Sequence, residues 1–120
     1  MNNSLIDLNE LMEIMDHDKE LIKECFNDFI NDATPMLKKI KEAIDNGNSE
    51  VIQKTAHALK GSLRYLAAKH TSNTAFALEK IGLNGNLVEA NATFDSLADE
   101  CQQLIEWMKQ YKFNEQKSDV

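Results

Sequence analysis

The chain has 120 residues, of which 42% are hydrophobic, and this length and composition predict one domain with a core of its own. Four glycines and a single proline disfavour a turn-rich β fold, and a net charge of −7 disfavours nucleic acid and anionic membrane as partners. No stretch approaches the ~18 apolar residues of a membrane span, and the first residues do not resemble a signal peptide. The sequence therefore predicts a cytoplasmic protein in which Cys25 and Cys101 stay reduced.

Apolar residues recur at helical spacing along most of the chain. The first predicted helix is short and runs from Asp7 to Met15, and Asp16-His17-Asp18 offers a cap for the second. Thr34-Pro35 either begins a new helix or kinks a continuous one, because proline suits the first turn of a helix and disrupts its interior.

A turn signal at 45–48 separates this region from the next predicted helix. We expect Ser49 to cap that helix, which runs to about Ala68. Two more helices follow, from about Thr71 to Leu83 and from about Leu87 to Tyr111.

Long amphipathic helices joined by short connections are typical of helical bundles. We therefore predict an all-α fold, an antiparallel four-helix bundle (up-down-up-down) with a short extra N-terminal helix across one end. The bundle is expected to form a single domain over 1–113, followed by a polar, disordered tail at 114–120.

The helix that begins near Ser49 has two contrasting faces. One face is apolar and is expected to be buried, with Ile52, Ala56, Leu59, Leu63 and Leu66. The other carries His57, Lys60, Gly61 and Arg64. Glycine inside a helix costs about 1 kcal/mol relative to alanine, and neither a turn nor a cap requires Gly61. A bare backbone beside an exposed imidazole indicates that a bulky partner approaches it closely.

Charge marks the same face as a site for an anion or an acidic partner. Between Val51 and Leu78 the sequence has no acidic residue and four basic ones, which are Lys54, Lys60, Arg64 and Lys69. Any one of Lys54, Lys60 and Arg64 alone is consistent with an ordinary solvated helix face, but their combination with His57 and Gly61 disfavours that interpretation. A zinc site is disfavoured, because no HExxH or CxxC motif is present and the lysines repel a cation.

These patterns favour His57 as a nucleophile towards phosphorus. Neutral imidazole is nucleophilic near pH 7, and neighbouring cations stabilise a transferred phosphoryl group. A Ser-His-Asp arrangement stays open, although no GxSxG elbow accompanies the histidine. Nucleotide binding is disfavoured because the sequence has no glycine-rich phosphate loop.

The segment 56–62, Ala-His-Ala-Leu-Lys-Gly-Ser, followed by Leu-Ala-Ala at 66–68, resembles the signature of histidine phosphotransfer (HPt) domains. These domains are the four-helix intermediates of multistep two-component phosphorelays. The resemblance extends over about Leu5–Met108 and includes Leu78-Glu79 and the Gly85-Asn86-Leu87 turn. His-x-x-Lys-Gly-Ser is a fairly specific signal in the middle of a helix in an acidic α-domain of this length.

The resemblance implies that His57 accepts the phosphoryl group and that Lys60 helps to neutralise it. Glu79 matches a position where the family often has a polar residue that hydrogen-bonds the imidazole. An ion pair of Glu79 with Lys60 or with Lys80 is the alternative. Gly61 would leave room for the active site of a partner.

Two further positions bear on the local packing. Ser62 matches the family motif, and we assign it to packing rather than to chemistry. The family usually has glycine at the position of Ala67, which affects how the helix ends.

The resemblance also implies that the partners are receiver domains of response regulators or of a hybrid histidine kinase. These partners would dock on the basic patch with Lys54 and Arg64, together with apolar residues of the first helix, Leu8, Leu11 and Met15. The domain would be a monomeric phosphoryl carrier rather than an enzyme, with no cofactor of its own and Mg²⁺ on the partner receiver domain. The alternatives are direct phosphorylation by an ATP-dependent histidine kinase and a non-phosphorylated helical interaction module.

Overall fold

A computed structural model describes residues 5–111, and all of the regular secondary structure in that range is helical. The five helices are α1 (Leu8–Ile14), α2 (Lys19–Asp45), α3 (Ser49–Tyr65), α4 (Lys69–Asn84) and α5 (Ala90–Gln110). Helices α2 to α5 each pack on their neighbours along the chain, and α5 returns to α2. The predicted four-helix bundle with a short N-terminal helix is confirmed. The tail predicted at 114–120 lies outside the described residues.

Polar side chains fix where the first three helices begin. Asp7, Asp18 and Asn48 each accept a hydrogen bond from a backbone N–H in the first turn of α1, α2 and α3. The prediction that Ser49 caps α3 is therefore wrong, because Asn48 supplies the cap and Ser49 is the first helical residue. Helix α2 continues through Pro35, so no new helix begins there. No helix within residues 5–111 is long and apolar enough to cross a membrane.

The apolar face predicted for α3 is fully buried and forms the centre of the core. Leu11 and Met15 are also fully buried, and the Met15 Sδ lies 4.0 Å from the Cys25 Sγ of α2. The prediction that Leu11 and Met15 lie on a docking surface is therefore wrong. Periodicity identifies the apolar face of a helix but does not say whether another element covers it. Leu8 remains 37% exposed.

Helix α3 ends earlier than predicted, at Tyr65, and the chain reverses direction at Ala67. The φ angle of Ala67 is +58°, in the left-handed region where a side chain costs about 1–2 kcal/mol and glycine is favoured. Glycine, which the resemblance implies at this position, would adopt this angle without that cost. The carbonyl of Ala67 accepts a hydrogen bond from the Asp7 N–H at 3.0 Å, which anchors α1 across the end of α3.

Candidate functional site

His57 lies in the middle of α3 with 63% of its side chain exposed. Its Nδ1 lies 2.8 Å from Oε2 of Glu79 on the neighbouring helix α4. An ionised carboxylate only accepts hydrogen bonds, so Nδ1 carries the proton. In the neutral ring, Nε2 then keeps its lone pair. The contact between Nδ1 and Glu79, on the other side of the ring from Nε2, fixes the orientation of the imidazole.

Glu79 also forms the ion pair with Lys60 that the sequence left open as an alternative. Its Oε1 lies 2.8 Å from Lys60 Nζ, so one carboxylate joins both residues. The Glu79 side chain is only 9% exposed and that of Lys60 is 15% exposed. Lys60 is therefore not a freely solvated lysine, because Glu79 binds its ammonium group and most of its side chain is buried. It lies one helical turn from His57.

The pKa of Glu79 lies below its ordinary value, although two opposing effects act on it. Burial on its own raises this pKa, because a charged carboxylate loses water. The hydrogen bonds with Lys60 and His57, together with the positive charge of these partners, outweigh that effect and lower it. Glu79 is consequently ionised at neutral pH and remains an acceptor for both neighbours.

Phe76 contributes to the site and was not singled out from the sequence. Its ring is 41% exposed, and the Nζ atoms of Lys60 and Lys80 each lie 4.6 Å from the ring centroid. Lys80 thus pairs with the ring rather than with Glu79. One feature of the sequence could have indicated this contact: Phe76 and Lys80 are four positions apart, a spacing that places two side chains next to each other on a helix. Glu79 and Phe76 together hold the Lys60 ammonium from two sides.

Residues 24–107 match the sequence model of the Hpt domain family, and this range includes both His57 and Glu79. The chain belongs to the Hpt domain family. Its fold is similar to the crystal structure of histidine-containing phosphotransfer protein B from Pseudomonas aeruginosa, with a TM-score of 0.85 and 20% sequence identity. That likeness covers 92% of this chain and 100% of the other. A comparison with curated proteins finds no match.

Gly61 of this Hpt domain lies on the exposed surface of α3, one turn after His57. A methyl group at Gly61 would meet no atom within 4 Å. The space beside the imidazole is therefore open towards solvent. A side chain there would extend into this open space beside the imidazole.

Lys54 and Arg64 lie on the same helix of the Hpt domain but in different surroundings. Lys54 is paired with Glu50, with its Nζ 2.9 Å from Oε2. Arg64 instead lines a cleft of about 410 Å³ that Lys60 also lines. Arg64 and Lys60 thus lie at the same cleft, which Glu10 and Lys69 also line.

Ser62 is exposed, so its assignment to packing is wrong. It lies at the edge of the buried face of α3, beside a groove between α2 and α3 that Tyr65 also lines. Leu11 of α1 and Met15 at its C-terminal end are fully buried, so neither belongs to this surface of the Hpt domain.

Within residues 5–111 of this Hpt domain, no three His, Cys, Asp or Glu side chains form a group that could hold a metal ion. Two predictions from the resemblance stay predictions. One is that the domain has no cofactor of its own, and the other is that the partner receiver domain holds Mg²⁺.

We expect Glu79→Gln to lower the free energy of unfolding by about 1–3 kcal/mol at pH 7, because the variant loses a charged acceptor for two partners. The pKa of Glu79 is lower in the folded Hpt domain than the ordinary 4.5. The stabilisation is therefore fully present above about pH 4.5 and is lost as the pH falls through the folded-state pKa. Urea unfolding at pH 7 and at pH 3 measures this, and an equal deficit at both pH values would contradict it.

Proposed function

We propose that this Hpt domain accepts a phosphoryl group on Nε2 of His57 from the phosphoaspartate of a receiver domain. It then passes the group to another receiver domain in a two-component phosphorelay. The observation that carries the proposal is the exposed imidazole whose Nδ1 is hydrogen-bonded to the buried carboxylate of Glu79. This arrangement leaves Nε2 as the free nucleophilic atom on an open surface.

In the proposed step, the Nε2 lone pair of His57 attacks phosphorus and a nitrogen–phosphorus bond forms. The bond between phosphorus and the aspartyl oxygen breaks, and the aspartate leaves as a carboxylate. The proton on Nδ1 stays on the ring, which becomes positively charged and is stabilised by Glu79 at 2.8 Å. The Mg²⁺ that neutralises the transferring group belongs to the receiver domain.

Lys60 and Gly61 support the same step in different ways. Lys60 lies one turn from His57 and offsets the charge on the phosphoryl oxygens. Gly61 leaves the approach to Nε2 open. The domain acts as a monomeric carrier in the cytoplasm, and the receiver domain supplies most of the catalysis.

Transfer of radioactive label from phosphorylated receiver domains in the presence of Mg²⁺ tests the proposal. We expect label to pass to this chain as a mark that acid removes and base does not, as phosphohistidine behaves. A chain that takes label only from an ATP-dependent histidine kinase would be a kinase substrate instead of a relay intermediate. A chain that takes label from neither donor would be a binding module, and the proposal would fail.

We expect Lys60→Met to slow transfer about 10²-fold, as the loss of one group that stabilises transition-state charge does elsewhere. The matched control is Lys109→Met, which removes the same charge from the last turn of α5. The rate of transfer under single-turnover conditions is the measurement. Equal slowing in both variants would mean that overall charge matters and that Lys60 has no local role.

A further inference from the structure

Gly82 lies inside α4 at a place where neither a turn nor a left-handed conformation requires glycine. A methyl group on Gly82 would lie 2.6 Å from the backbone nitrogen of Gln53 and 2.9 Å from its Cα. Both atoms belong to the main chain of α3, so no side-chain rotation can make room. Any larger residue at position 82 therefore has to push α4 away from α3.

This close contact lies next to the functional site. Gln53 precedes His57 by one turn of α3, and Gly82 follows Glu79 by one turn of α4. Helices move as nearly rigid units over such short lengths, so the separation at Gly82 also sets the separation at Glu79. The hydrogen bond from Nδ1 to Oε2 is 2.8 Å long and weakens steeply once its atoms move beyond about 3.5 Å.

We propose that Gly82 is a positioning residue for the imidazole of His57. It allows α4 to approach α3 closely enough for Glu79 to hold the Nδ1–H, which keeps the Nε2 lone pair available. The effect on phosphoryl transfer rests on the proposed function, but the effect on the ring rests on the packing alone. Without the carboxylate at Nδ1, the proton redistributes to Nε2 in part of the population, and that form has no lone pair on Nε2 with which to attack phosphorus.

Nitrogen-15 NMR of the imidazole at pH 9 reports which ring nitrogen carries the proton. We expect the Nδ1–H form to predominate in the wild type and the Nε2–H form to rise at least severalfold in Gly82→Ala. The initial rate of phosphoryl acceptance should fall about tenfold or more, as for loss of one aligned catalytic contact. Wild-type ring shifts in a folded Gly82→Ala protein would overturn the proposal.

Two buried substitutions on α5 control for a general loss of stability. Ile105→Val and Leu104→Ala create a small and a large cavity away from the α3–α4 contact, so both should keep wild-type imidazole shifts. A ring change in these variants equal to that in Gly82→Ala would also overturn the proposal. If Gly82→Ala unfolds in buffer, the same spectra are recorded for all variants in trimethylamine N-oxide, which favours the folded state.

The NMR readout needs no phosphoryl donor, so the two proposals fail separately. A proton that shifts to Nε2 only in Gly82→Ala supports the positioning role even if no receiver domain labels the wild type. An unchanged ring removes the positioning role even if the relay itself is demonstrated.

Discussion

His57→Gln is expected to accept no phosphoryl group, because a glutamine amide is not a nucleophile towards phosphorus. Its side chain stays polar and can donate a hydrogen bond towards Glu79, and the replaced imidazole is 63% exposed. We therefore expect the free energy of unfolding to change by less than about 1 kcal/mol. Label transfer from a phosphorylated receiver domain, with circular dichroism and urea unfolding on the same sample, measures both effects.

The chain offers a matched control in His70. This histidine is also exposed and also contacts a carboxylate, with its Nε2 3.2 Å from Oε2 of Glu100. His70→Gln should accept label at the wild-type rate. Acid-labile label on His57→Gln together with loss of label from His70→Gln would move the acceptor site to α4 and contradict the proposed function.

Gly61→Gln is expected to change stability and transfer in opposite directions. Helical glutamine is favoured over glycine by about 0.5 kcal/mol, and the first carbon of the new side chain meets no atom within 4 Å. The free energy of unfolding should rise by about this amount. Transfer from a receiver domain should fall at least about 10²-fold, because the glutamine lies one turn from His57 and misplaces the reacting groups.

A small phosphoramidate donor separates docking from chemistry in this variant. It has no docking surface, so we expect it to phosphorylate Gly61→Gln and the wild type at rates within about twofold. Gly61→Ala should lie between the two in transfer from a receiver domain. If Gly61→Gln receives label from receiver domains at the wild-type rate, then the open surface at this position has no role in partner access.

The sequence was sufficient to predict the bundle and the helix face that carries His57, because both depend on local periodicity. The positions of Leu11 and Met15 were predicted wrongly because burial depends on which element covers a face. A seven-residue helix such as α1 carries no sign of its packing partner. The same reasoning applies to Ser62, whose exposure depends on how far α2 extends over α3.

The detail of the site depended on distances between helices, which a single sequence does not contain. Glu79 was matched to its position by resemblance, but its simultaneous contacts with His57 and Lys60 required both helices in place. The sequence does not indicate a role for Gly82, because glycine is common near the end of a helix. The role proposed for Gly82 depends on the neighbouring helix α3, where the backbone nitrogen of Gln53 lies only 2.6 Å from the position that a methyl group on Gly82 would occupy.

In the proposed relay, the hydrogen bond between His57 and Glu79 would act on release of the phosphoryl group as well as on its capture. A ring that keeps its Nδ1 proton departs as neutral imidazole, which is a far better leaving group than an imidazolate anion. On that proposal the carboxylate would lower the barrier in both directions, and the overall equilibrium would be set by the two partners. Net flow through the carrier would then follow the supply of phosphorylated donor and empty acceptor, and would reverse when their ratio reverses.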